Sequence, residues 1–96
     1  MKIKKFVSTK QDSTMLVTLV SVSSSDRDTT VLDHHLPGAG LYVIEQDDMT
    51  SIAESCEDFF PEFDLSVTAQ RDAAFSEYSE MLIDSESYAP LPKRLC

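Results

Sequence analysis

The sequence predicts an α+β fold, a small antiparallel sheet of three to five strands covered on one face by two amphipathic helices. Three observations lead there. Residues 1–45 hold β-branched and apolar runs separated by short polar breaks, and residues 50–83 place apolar side chains at helical spacing. The 96 residues, 42% hydrophobic and 26% charged, are enough for one modest core. Residues 1–86 are expected to form that single domain, with 87–96 as an extended tail containing Pro90 and Pro92.

The first run, KIKKFVS, is β-compatible, and the polar break Thr9–Ser13 separates it from Thr14–Val22 (TMLVTLVSV). The second run is apolar on both alternations: Leu16, Val20 and Val22 on one side, Met15, Val17 and Leu19 on the other. A strand buried on both faces reads this way, so it is placed at the sheet centre, antiparallel to the first. SSSDRD (Ser23–Asp28) is a loop. Thr29–Leu36 (TTVLDHHL) fits a strand or a short helix, and Thr29, Thr30 and Val31 favour the strand. Pro37–Gly40 (PGAG) is a turn that leads into the strand Leu41–Glu45.

Ser51 and Glu54 have the spacing of a capping box, and Ile52, Cys56, Phe59 and Phe60 follow at i, i+4, i+7 and i+8. This predicts a helix over 50–60, closed by Pro61. Residues 62–68 fit either a short strand, through Phe63, Leu65 and Val67, or the start of the next helix with Asp64 or Ser66 as its cap. From 69 to 83, Ala74, Phe75, Tyr78, Met81 and Leu82 form a second helical stripe.

Charge is divided unevenly. Residues 1–44 hold five bases against four acids, a net +1, whereas residues 45–96 hold three bases against thirteen acids, a net −10. The stretch EQDDMTSIAESCEDFFPEFD (45–64) has eight carboxylates and no base, and Arg71 is the sole base between Glu45 and Glu86. Such a surface repels nucleic acid and membranes and attracts basic protein surfaces. The candidate partner-binding residues are Asp47, Asp48, Glu54, Glu57, Asp58, Glu62, Glu77, Glu80 and Asp84. Glu54, Glu57 and Asp58 fall at i, i+3, i+4 of the first predicted helix, and Glu77, Glu80 and Asp84 at i, i+3, i+7 of the second. Neighbours at such spacing lie about 5–6 Å apart at Cβ, the order of the phosphate separation along a DNA strand, and each like-charge pair costs about 0.2–0.5 kcal/mol.

Catalytic signatures are absent. The sequence has no GxSxG elbow, phosphate loop, EF-hand register or CxxC and HxxxH ligand cluster. His34 and His35 would point to opposite faces of a strand and so would not share a metal. Cys56 reads as a core thiol, and two cysteines, one of them the last residue, do not make a disulfide framework. No enzyme activity, metal or cofactor is expected. No apolar run of signal-peptide length follows MKIKKFVSTK, and Met15–Val20 is far shorter than a membrane span. A cytoplasmic chain is the expectation, in the host cytoplasm if it is phage-encoded.

Small size, strong acidity and the lack of a catalytic motif resemble phage-encoded viral inhibitors of host nucleic-acid machinery, the anti-CRISPR and anti-restriction proteins that mimic DNA. MKIKKFVST with Met15 after it, and LPGAGLYVIE, also look like stretches of a type I-F anti-CRISPR family in which strands precede helices. There the Pro-Gly stretch leads into a helix, whereas here it leads into a predicted strand, and no functional residue is carried over. The resemblance implies a DNA-mimicking inhibitor that blocks a basic nucleic-acid-binding site on a host protein, with no nucleic acid or membrane bound directly. The alternative is a general protein-interaction module or homodimer, with Tyr42, Phe63, Tyr88 and Leu91 as apolar anchors and the acids serving solubility alone.

Overall fold

The computed structural model describes residues 1–26 and 28–90. In chain order the elements are β1 (Lys2–Ser8), β2 (Leu16–Val22), one 3-10 turn (Ser24–Asp26), β3 (Thr29–Val31), β4 (His34–Leu36), β5 (Gly40–Gln46), β6 (Ser51–Ser55), α1 (Thr68–Asp84) and β7 (Tyr88–Pro90). Five strands form one antiparallel sheet in the order β6-β5-β2-β1-β7, and β3 and β4 form a second, two-stranded sheet. The expected pair of helices on the sheet is therefore overturned: among the described residues there are seven strands and a single α-helix.

β2 lies at the centre, where its doubly apolar pattern requires it to be, and every residue of it after Leu16 is buried. It pairs with β1 from Lys2↔Ser21 to Val7↔Leu16 and with β5 from Leu16↔Gln46 to Val22↔Gly40. Thr29–Leu36 is not one strand but a complete hairpin of β3 and β4. Its two-residue turn puts Leu32 (φ 51) and Asp33 (φ 68) in the left-handed region, as a type I′ turn requires. Asp suits that conformation, whereas Leu there costs about 1–2 kcal/mol.

The segment predicted as a helix over 50–60 is strand and turn. β6 pairs with β5 from Gln46↔Ser51 to Tyr42↔Ser55. Asp47 makes the reversal, its carboxylate accepting from the amides of Met49 and Thr50 (2.8 Å each) and from the Thr50 hydroxyl (3.2 Å). Pairing with β5 satisfies a row of backbone groups that a helix would have left unpaired at that edge. Residues 56–67 then descend in successive turns, closed by the amides of Phe59, Phe63 and Val67 bonding to the carbonyls of Cys56, Phe60 and Asp64. Residues 62–67 are thus neither strand nor helix. Asp64 accepts from the Ser66 amide and hydroxyl (3.1 and 2.6 Å), while the N-cap itself is Val67, with no side-chain cap.

α1 covers one face of the sheet. Beneath it, Phe6, Val17, Leu19, Leu41, Val43, Cys56, Phe60, Leu65 and Ala74 form the larger core cluster, with Phe75, Tyr78 and Leu82 packed on it. The β3–β4 hairpin covers part of the opposite face through Leu36, which packs with Val20, Val22 and Ile44. β7 adds a short edge strand to β1, from Ser8↔Tyr88 to Phe6↔Pro90. The remainder of the predicted tail, with Leu91 and Cys96, lies outside the described residues.

Candidate functional site

All nine acids singled out in the sequence are exposed, but the structure does not arrange them on two helices. Glu77, Glu80 and Asp84 form one outward row on α1, away from the side that buries Ala74 and packs Phe75, Tyr78 and Leu82 against the core. Glu54 stands on β6, and Asp47, Asp48, Glu57, Asp58 and Glu62 stand in turns. The helical ladder of Glu54, Glu57 and Asp58 does not exist, because that segment is paired to β5 instead. Asp47 also has a structural role: the Met49 and Thr50 amides hold its carboxyl below the usual range. The Ser66 hydroxyl and amide do the same for Asp64.

Sequence reasoning missed the fate of the one opposing charge. Arg71 is 2% exposed. Its Nε donates to Ser21 Oγ (3.0 Å), and its terminal nitrogens donate to the carbonyls of Leu65 (3.1 Å) and Ser66 (3.5 Å) and to Thr68 Oγ1 (3.4 Å). The guanidinium thereby ties the turns before α1 to β2, using the fork of donors that makes Arg suited to interior positions. Among the described residues no carboxylate pairs with it, and of the thirteen acids from Glu45 to Glu86 only Asp72 is ion-paired, to Lys2 (3.2 Å). From Glu45 to Pro90 the surface therefore presents carboxylates and no lysine or arginine.

Among these acids lies an apolar groove of about 380 Å³ between the 56–60 turn and the C-terminal half of α1, lined chiefly by Phe59, Phe60, Tyr78, Met81, Leu82 and Tyr88. The Phe59 and Phe60 rings each lie 6.2 Å from that of Tyr78, Phe59 edge-on. Two of the residues read as a core stripe, Ile52 (55% exposed) and Phe59 (59%), are outside, while Cys56 and Phe60 are buried. Met81, expected on the buried side of its helix, is 58% exposed. The turn explains the split, since adjacent Phe59 and Phe60 cannot both face the core from a tight reversal. Burial pushes the Tyr78 hydroxyl up to about 12, helped by the charges of Cys56, Glu45, Tyr88 and Glu54. Glu45 and Glu54 stand outside the lining of the groove. Both belong to the α1-facing side of the sheet, with Ile52 between them, directly across from Glu45.

Of the other expected anchors, Tyr88 borders this groove, Tyr42 is half-buried with its hydroxyl donating to the Gly38 carbonyl (2.9 Å), and Phe63 packs on the core. His34 and His35 diverge, as strand neighbours must: His34 Nε2 bonds Ser51 Oγ (2.8 Å) and His35 Nε2 meets Asp28 (3.5 Å). The Cys56 thiol is buried and pushed up to about 12, by desolvation first and by Glu54 second, which leaves it protonated near neutral pH. Among the described residues no group of three His, Cys, Asp or Glu side chains could hold a metal, and no helix is long and apolar enough to cross a membrane. Compared with family models, with curated proteins and with solved structures, the chain finds no match.

Proposed function

We propose that this chain is a non-enzymatic inhibitor that lays its acidic face on a basic nucleic-acid-binding surface of a protein partner, in the manner of an anti-CRISPR or anti-restriction decoy. The observation that carries the reading is the pairing of thirteen acids with one base that has been taken into the interior. A charge pattern serving solubility alone has no need to bury the sole base between Glu45 and Glu86, and intermixed surface lysines would lower the self-repulsion. The partner supplies the missing cations on docking, which makes encounter fast and salt-sensitive.

The test is displacement of labelled duplex DNA from a purified CRISPR effector or restriction enzyme. Inhibition is expected to weaken at least about tenfold between roughly 50 and 300 mM salt, and to be lost on replacing Glu77, Glu80 and Asp84 by Lys. Salt-independent inhibition overturns the reading. The exposed Phe59 and Met81 favour a second one, a general interaction module or homodimer held by apolar contact. Activity that survives the charge reversal but not Phe59→Ala would select it.

A further inference from the structure

We infer that the groove between the 56–60 turn and α1 is the anchor point of the acidic face, and that it takes a leucine- or phenylalanine-sized side chain of the partner set between lysines or arginines. The inference rests on the acidic-face reading and specifies the partner segment that fits it. The groove's wall is apolar and open to solvent: Phe59 and Met81 are more than half exposed, with Tyr78, Leu82 and Tyr88 behind them. Monomeric proteins seldom leave large apolar side chains clustered around a concavity without a use for it.

Charge complementarity identifies the occupant. On the sheet side, Glu45 and Glu54 stand exposed on the α1-facing side of β5 and β6. On the helix side Glu77 and Asp84 stand four before and three after Met81, about 5–6 Å from it at Cβ. Asp58 immediately precedes Phe59. No exposed lysine or arginine from Glu45 to Pro90 offsets these acids. An apolar side chain entering here brings its sequence neighbours onto carboxylates from two directions. An acidic or neutral segment would leave those carboxylates unpaired, and a purely basic one would leave the groove unfilled. The arrangement is an apolar centre with a charged rim, the usual layout of an energetic contact between proteins.

Two peptides of equal charge test this by NMR shift titration of the intact chain: Lys-Lys-Leu-Leu-Lys-Lys and Lys-Lys-Ser-Ser-Lys-Lys. The leucine peptide should bind at least about tenfold tighter, the worth of one well-buried apolar side chain, with shifts centred on Phe59, Tyr78 and Met81. The double variant Phe59→Ala/Met81→Ser, altered only at exposed positions, should lose that preference and keep the weak binding of the serine peptide. Equal binding of the two peptides overturns the groove assignment and leaves the acidic face standing. So does a leucine preference that survives the double variant. Conversely, if the Lys substitutions at Glu77, Glu80 and Asp84 change neither titration, the acids contribute nothing and the basic part of the assignment falls. Dimerisation in sedimentation at about 0.1 mM that disappears in the double variant would make a second copy the occupant, and overturns the proposal.

Discussion

The two faces of the sheet are closed by different means. One lies under a 17-residue helix and a run of turns, over a cluster that includes Phe6, Leu19, Leu41 and Phe60. There even the buried charge of Arg71 is hydrogen-bonded. The other lies under a hairpin of two three-residue strands, over Val20, Val22, Leu36 and Ile44. On that side two polar atoms, Thr18 Oγ1 and Gln46 Oε1, are buried with no hydrogen-bond partner among the described residues. The helix-covered face thus carries most of the apolar burial and places the groove and its acids at its rim. The hairpin-covered face contributes less, and it retains a defect that could be removed.

The largest effect should separate these faces. Phe6→Ala removes a fully buried ring from beneath α1 and is expected to cost about 3–5 kcal/mol in urea unfolding. Leu36→Ala removes the hairpin's buried anchor, yet should cost only about 2 kcal/mol, the low end of the range, because a short hairpin can settle toward the sheet and close part of the cavity. A Leu36 loss equal to that at Phe6 would show that the hairpin is as integral as the helix.

What was legible in the sequence follows the same division. β2 announced its central position because both of its alternations are apolar, and α1 announced itself over four turns of consistent spacing. The segment 50–60 misled because a short apolar period fits two structures. Ser51-Ile52-Ala53-Glu54 imitates a capping box, but the same residues alternate as an edge strand, with Ser51, Ala53 and Ser55 on one side and Ile52 and Glu54 on the other. The decisive signal was Asp47, four residues before Ser51 and immediately after a strong strand, where an Asp side chain closes a turn on its own backbone. The candidate site was legible as composition only. That the acids are uncompensated could be counted, but that Arg71 is buried and that Phe59 and Met81 are not depends on tertiary packing.

A smaller effect appears at high pH and belongs to the helix-covered face. The Cys56 thiol ionises near the ordinary thiol value of 9.0 when the chain unfolds but only at about 12 in the fold. Between those values the unfolded chain has released a proton that the native protein still holds. The thiol's contribution to stability is therefore complete below pH 9 and is lost as pH rises toward 12, by about 1 kcal/mol per unit. Cys56→Ala should lose some stability at neutral pH and show a shallower decline above pH 9. Parallel pH profiles for the two proteins would mean that the thiol does not titrate differently on folding.

The smallest effect sharpens the contrast by its sign. Thr18 and Ser21 are both buried hydroxyl residues of β2, three positions apart and so on opposite faces. Ser21 Oγ accepts from Arg71 Nε, so Ser21→Ala leaves a buried guanidinium donor unmet and should destabilise by about 1 kcal/mol. Thr18 Oγ1 has no partner, so Thr18→Val exchanges an unmet hydroxyl for a methyl of nearly the same size and should stabilise by about 1 kcal/mol. The two should therefore move the urea midpoint in opposite directions. If Thr18→Val also destabilises, its hydroxyl is bonded after all, through a water shared with Gln46, whose side chain lies on the same face two residues along β5 from Ile44, the partner of Thr18. The hairpin-covered face would then be as fully satisfied as the other, and the difference between the two faces would reduce to the amount of apolar surface each one buries.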